Sequence, residues 1–121
     1  MTRSQPRGWH SITPRLVAAD PVALVRFLRR AFSATGRVRE GSPAVMQIGD
    51  SRVMVSGTEA RAATRAFLYL YVDDADATYE RAIKAGAKSV EKPADMPYGD
   101  RRAMVRDPGG NLWQIARRIS R

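Results

Sequence analysis

Two kinds of side chain in this sequence could do chemistry together: the aromatic run Phe67, Tyr69 and Tyr71, and the polar set Thr13, Arg15, Arg52, Ser56 and Gln114. Flat rings with polar tips stack on a planar ligand, and a guanidinium clamps a carboxylate or phosphate with two parallel hydrogen bonds. Hydroxyl and amide groups then orient what the rings hold. The mixture, with Met54 beside it, suits an aromatic or anionic small molecule. A plainer role for the aromatics, filling the interior of a sheet or a dimer seam, fits the same residues.

Metal and nucleophile chemistry have little to work with. The chain has no cysteine and His10 is its sole histidine, so thiolate nucleophiles, disulfides, cysteine-ligated zinc and a His-rich metal site within one chain are excluded. His10, next to Trp9, reads as an exposed histidine ahead of the first strand. Asp73 and Asp74 resemble a carboxylate pair, yet they immediately precede a helix whose first amides need acceptors. Asp100 is expected to pair with Arg101 or Arg102 as a clamp of its loop, and Asp107-Pro108-Gly109 is turn chemistry. No catalytic residue, metal ligand set or cofactor is expected.

The elements that must position these residues come in two similar sets. The first opens with a strand-like run, Ser11 to Ala18. Asp20-Pro21 then supplies an N-cap and a proline at the first helical position, and Val22, Val25, Leu28, Ala31 and Phe32 recur at helical spacing. Gly36 is the expected stop. Strands Ala44 to Ile48 and Arg52 to Ser56 follow, joined by Gly49-Asp50-Ser51. The second set repeats the order: strand Phe67 to Val72, cap Asp73-Asp74, a helix through Tyr79, Ala82 and Ile83 to Gly86, then strands Ala103 to Arg106 and Leu112 to Ala116 around the turn Asp107 to Asn111. Asp74 lies 54 positions after Asp20, and Gly109 lies 60 after Gly49. The extra residues are assigned to a loop from Pro93 to Asp100. One more short strand, around Val38 or Ser89, would complete each βαβββ unit.

Alternation along a strand sorts the side chains by face. Leu68, Leu70 and Val72 belong under the helices, with Phe67, Tyr69 and Tyr71 on the cleft side. By the same parity Ile12, Pro14 and Leu16 pack inward while Thr13, Arg15 and Val17 face the cleft. Val53 and Val55 pack while Arg52, Met54 and Ser56 face it. On the last strand Trp113 and Ile115 pack, and Leu112, Gln114 and Ala116 look into the cleft.

Size and charge narrow the function further. A chain of 121 residues with 44% hydrophobic content builds one ordinary core, so a single domain over residues 1–121 is expected, with one module at about 9–58 and the other at about 65–118. No run is long and apolar enough for a membrane span, and the first residues lack the apolar run of a secretory signal, which points to a cytoplasmic protein. The net charge of +9 favours anionic partners. Nucleic acid is not expected among them, because the cations spread from Arg3 to Arg121 without any recognition motif.

The order of elements, with "GDSRVMVS" closing the first half and "YGDRRAMVRDPGGNLWQIA" near the end, resembles the vicinal oxygen chelate superfamily of glyoxalases, bleomycin resistance proteins and dioxygenases. Within it, ITPRLVAADPVALVRFLRRAF and DMPYGDRRAMVRDPGGNLWQIA resemble the PhnB-like branch. The resemblance implies an α+β fold of two tandem βαβββ modules forming a curved, barrel-like mixed sheet with helices outside. In metal-dependent members it implies four ligands, usually His or Glu, at positions that fall here on Thr13, Met54, Phe67 and Gln114. Three of these donate poorly or not at all to a hard divalent ion. The expectation is therefore a metal-independent small-molecule-binding protein of the bleomycin resistance type, working as a homodimer on an aromatic or anionic metabolite or antibiotic. The alternative is a lyase, isomerase or dioxygenase of the same superfamily with an atypical active site.

Overall fold

A computed structural model describes residues 4–59 and 61–120. In chain order its elements are β1 (Arg15–Val17), α1 (Pro21–Phe32), β2 (Ala44–Ile48), β3 (Ser51–Ser56), β4 (Phe67–Tyr71), α2 (Ala75–Lys84), β5 (Lys88–Asp95), β6 (Asp100–Arg106) and β7 (Leu112–Arg118). One sheet has the order β1-β3-β2 and the other β4-β7-β6-β5. Each module pairs its first strand in parallel with its last, β1 with β3 and β4 with β7, and the remaining pairs are antiparallel. The fold is α+β with curved, mixed sheets that do not close into a barrel.

Both helices start where their caps require. The Asp20 carboxylate accepts a hydrogen bond from the Ala23 amide at 3.0 Å, and Asp74 accepts from Ala77 at 3.0 Å. Leu24, Val25, Phe27, Leu28, Ala31 and Phe32 form the buried stripe of α1. Burying each of the large ones contributes roughly 1.5–3 kcal/mol. Val22, expected in that stripe, is 50% exposed. At about 100° per residue it falls outside the arc that Leu24, Leu28 and Ala31 share. The helix ends at Phe32 with Ser33 in the left-handed conformation, so Gly36 is not the stop. Gly36 has φ +119°, and a Cβ there would run into the Val45 carbonyl and come within 2.8 Å of the Met46 sulfur. Its missing side chain lets the loop lie against β2.

The first strand is shorter than alternation suggests. Pro14 has no amide hydrogen to donate, and only its carbonyl joins the sheet, accepting from the Met54 amide at 2.9 Å. Upstream of it the chain leaves the sheet, so parity no longer governs, and Ile12 is 84% exposed instead of packed inward. Val17, expected on the cleft side, is buried, because its carbonyl accepts from the Thr64 amide and that segment crosses over it. The turn between β2 and β3 narrows to Gly49 and Asp50, with Ser51 already in the strand.

The two modules are not equal in strand number. Around Val38 no strand forms, and the segment makes only the bridges Thr35 to Gln47 and Arg39 to Ser42. Gly41 in the left-handed region and Pro43 without an amide hydrogen interrupt any ladder there. In the second module β5 does form and includes Ser89. The expected loop from Pro93 to Asp100 is shorter in the structure, residues 96–99, because Pro93 to Asp95 end β5 and Asp100 begins β6. Pro93 is tolerated because it sits in a register shift between Glu91 and Ala94 on an edge strand.

One hydrophobic core serves both modules. The Phe32 ring of α1 lies 4.8 Å from the Trp113 ring of β7, centroid to centroid, and Arg81 Nε of α2 donates to the Ala31 carbonyl at 3.4 Å. The turn between β6 and β7 is organised by buried Asp107. Its carboxylate accepts from the Gly109 amide at 2.8 Å, the Asn111 amide at 2.9 Å and Trp113 Nε1 at 2.8 Å. Asn111 in turn accepts from the Ala66 amide at 2.9 Å, which fixes the start of β4.

Candidate functional site

The sheet face opposite the helices differs sharply between the modules. In the second, β4 presents Phe67, Tyr69 and Tyr71, which are 64%, 39% and 59% exposed. Leu68 and Leu70 pack toward the core as alternation requires. Register sets Tyr69 beside Gln114, which is beside Met104, and Tyr71 beside Ala116, which is beside Arg102. The two tyrosines lean across β7 over fully buried Ala116. Tyr69 donates to Asp100 Oδ2 at 2.6 Å and Tyr71 donates to the same oxygen at 2.8 Å. Arg118 Nη1 donates to Asp100 Oδ1 at 3.1 Å and to the Tyr98 carbonyl at 2.8 Å. Asp100, at 1% exposed, sits under this cover.

The electrostatics follow from those bonds. Hydrogen bonding from Tyr69, then from Tyr71 and Arg118, holds the Asp100 carboxyl below its ordinary range despite burial, so it is ionised. Burial and the bond to Asp100 push the Tyr69 phenol well up, and the Asp100 bond raises Tyr71 as well. The expected pairing of Asp100 with Arg101 or Arg102 is not formed. Those side chains point elsewhere: Arg101 is bidentate on Asp76 at 2.7 and 3.0 Å, and Arg102 pairs with Glu91. Neighbouring residues on a strand face opposite sides, so Arg101 cannot share a face with Asp100.

The first module's face is looser. Arg15 Nε donates to Ser56 Oγ at 3.2 Å, and Arg52 Nε donates to Gln47 Oε1 at 2.9 Å. The Arg52 guanidinium also sits 5.0 Å from the centre of the Trp9 ring. Its polar partners are neutral and partly solvated.

The candidate residues do not converge on one cleft. Arg15 and Ser56 line a cavity of about 750 Å³ with Arg39, Glu40, Glu59 and Arg61. Thr13, Arg52 and Tyr69 meet His10 at a smaller cavity of about 240 Å³ on the seam between modules. Tyr71 borders a third, of about 420 Å³, with Asp73, Asp74 and Arg81. Met54, Phe67 and Gln114 line none of these three and stand on open sheet faces. The second-module face is thus an exposed platform.

Residues 8–115 match the model of the Glyoxalase/Bleomycin resistance protein/Dioxygenase superfamily. The chain belongs to this superfamily. Among relatives, an uncharacterized protein of Mycobacterium bovis is 28% identical over 127 residues, covering 90% of this chain and 84% of that protein. TioX from Micromonospora sp. ML1 has a similar structure, with a TM-score of 0.77, 29% identity and coverage of 89% of this chain and 98% of TioX. A family enzyme from Burkholderia phytofirmans is similar in fold alone, with a TM-score of 0.76 at 21% identity, covering 87% and 95% of the two chains.

Metal-dependent members of the superfamily raise the question of whether a metal fits here. Thr13 lies outside β1, and Phe67 is aligned with Leu112 instead of Gln114. The residues actually beside Met54 and Gln114 are Arg15 and Tyr69, and Tyr69 is already bonded to Asp100. Neither set provides the carboxylates and imidazoles a divalent ion needs. Among the described residues no group of three or more His, Cys, Asp or Glu side chains could hold one. The residues present do not fit the superfamily's metal.

Residues that spacing alone did not bring to this face are Tyr98, Asp100, Arg102, Met104 and Arg118. A signal for them exists in hindsight. Extending the alternation of buried Ala103 and Val105 back to Asp100 puts Asp100, Arg102 and Met104 on the cleft side, but only if β6 is started three residues early.

Proposed function

We propose that this chain is a small-molecule-binding protein of the superfamily that operates without a metal, takes an aromatic or anionic ligand, and works as a homodimer in the cytoplasm. The observation carrying the reading is the row Phe67, Tyr69 and Tyr71, which leaves three large rings exposed on the face away from the helices while Asp100 fixes two of their hydroxyls. Exposed, pre-oriented aromatic surface is what binding faces use, since little entropy is lost when a ligand stacks on it. Dimerisation is supported by the free outer edge of β4 next to that surface, an edge that a monomer leaves unpaired. The PhnB-like placement rests on the segments quoted above.

Acid–base catalysis by Tyr69 with Asp100 gains no support, because the phenol is pushed away from neutral pH and the carboxylate is saturated by donors. Thermal-shift screening against aromatic acids, aromatic amides and antibiotics tests the proposal. Stabilisation by at least one aromatic compound is expected, together with a dimer by light scattering and no stoichiometric metal in the purified protein. A tightly held stoichiometric metal would replace this reading with the enzyme one.

A further inference from the structure

The hydroxyl hydrogens of the second-module face are all directed inward. Asp100 is ionised and has no hydrogen to give, so Tyr69 and Tyr71 must each donate to it, at 2.6 and 2.8 Å. Tyr98 lies 3.4 Å from the Tyr69 oxygen. Because the Tyr69 hydrogen is already spent on Asp100, Tyr98 is the donor in that contact. Three phenols therefore form one directed chain, Tyr98 to Tyr69 to Asp100, with Tyr71 joining from the side. Toward solvent, Tyr69 and Tyr71 offer only lone pairs.

The arginines of the same face each engage a group of the protein, although the Arg118 side chain is half exposed. Arg102 pairs through Nη2 with Glu91 and is nine-tenths buried, and its Nε is sealed from the surface without a partner. Arg118 Nη1 is held by Asp100 and the Tyr98 carbonyl, and Arg106 Nη1 donates to the Gly110 carbonyl at 3.3 Å. Gln114, beside Tyr69, has both a donor and an acceptor and so discriminates little. Rings whose hydroxyls donate to a carboxylate also become richer in electrons, which favours a partly positive N–H edge over a carboxylate.

Building on the small-molecule reading above, we infer that this face selects a planar aromatic ligand carrying an N–H donor, an amide or N–H heterocycle, over its carboxylate counterpart. Asp100 acts as a positioning residue, making acceptors of Tyr69 and Tyr71 without touching the ligand. The net charge of the whole protein draws anions to its surface generally, but at the Tyr69 and Tyr71 oxygens the hydrogen-bond polarity opposes them.

The test uses two probes with the same ring system, 2-naphthamide and 2-naphthoate, titrated by calorimetry against the full-length protein. The amide is expected to bind about five- to tenfold more tightly, the worth of one hydrogen bond that the carboxylate cannot make. Tyr71→Phe, a change at an exposed ring, should remove most of that ratio. Asp100→Asn should narrow it too, since a carboxamide that donates toward one phenol turns that phenol's hydrogen outward. The ratio within one variant is the readout, because a merely structural defect weakens both probes alike. Naphthoate binding as tightly as or more tightly than naphthamide, or a ratio unmoved by both substitutions, overturns the inference while leaving the binding reading intact. Failure of both probes to bind the wild type overturns the two together.

Discussion

The two modules share a strand order and a parallel pairing of first and last strand, yet their open faces follow different rules. In the first, Arg15 and Arg52 reach neutral acceptors, Ser56 and Gln47, near the surface. In the second, Tyr69, Tyr71 and Arg118 converge on a single carboxylate that is almost wholly buried. The cause is one strand. β6 begins early enough to set Asp100 opposite Arg118 of β7, whereas its first-module counterpart β2 begins only at Ala44, after Gly41 and Pro43. A duplicated scaffold can thus hold one adaptable face and one fixed face, and the fixed one is the better candidate for selective binding.

The hairpin turns give the sharpest way to break this comparison. Asp107→Ala strands the Gly109 and Asn111 amides and Trp113 Nε1 in the interior, and should cost about 3–5 kcal/mol in denaturant unfolding. Asp50→Ala at the equivalent, exposed turn should stay within about 0.5 kcal/mol. Equal costs would show that the second hairpin is not the more rigid of the two.

Asp100→Ala comes next. It should lower the melting temperature less than Asp107→Ala but clearly more than Arg52→Ala, whose loss of one ring contact and one part-buried hydrogen bond to a neutral acceptor is worth about 1 kcal/mol. The reverse order would make the first face the fixed one.

The pH dependence separates the faces by titration. Asp100 has a depressed folded pKa, so its contribution is complete above the ordinary carboxylate range and is lost as pH falls through its folded value. Tyr69 and Tyr71 have raised folded pKa values, so their contribution is complete below the ordinary phenol range, about 10, and is lost as pH rises beyond it. Phenolate absorbance should accordingly show Tyr69 and Tyr71 ionising late, above about pH 10. Tyr71→Phe should remove one of the late ones. The smallest effect expected is from Tyr98→Phe, which loses one long hydrogen bond and should change stability by about 0.5 kcal/mol or less.

Much of the scaffold was legible in the residues. Asp20-Pro21 and Asp74 announce helix starts because capping is local chemistry, and the alternation from Phe67 to Val72 sorts its faces because strand geometry has a period of two. Asp107 to Asn111 reads as a turn for the same local reason. The misses are nonlocal or lie where local signals conflict. Pro93 argued for a loop, and only its place in a bulge of an edge strand lets β5 pass through it. Ile12 follows the alternation on paper, but Pro14 ends the ladder before the pattern reaches it. Val22 fits an i, i+3 spacing with Val25 while lying off the helix face that the sheet covers.

The candidate site divides along the same line. Sequence by itself determined the superfamily scaffold, the aromatic row on one strand face, and the poverty of metal ligands, since those depend on residue identity and short-range periodicity. Tertiary structure alone decided which groups share a surface. It parted Arg15 and Ser56 from Phe67 and Gln114, and it delivered Asp100 to Tyr69 and Tyr71, 31 and 29 positions away. A hydrogen bond between distant residues depends on strand order and register, and no local pattern encodes either.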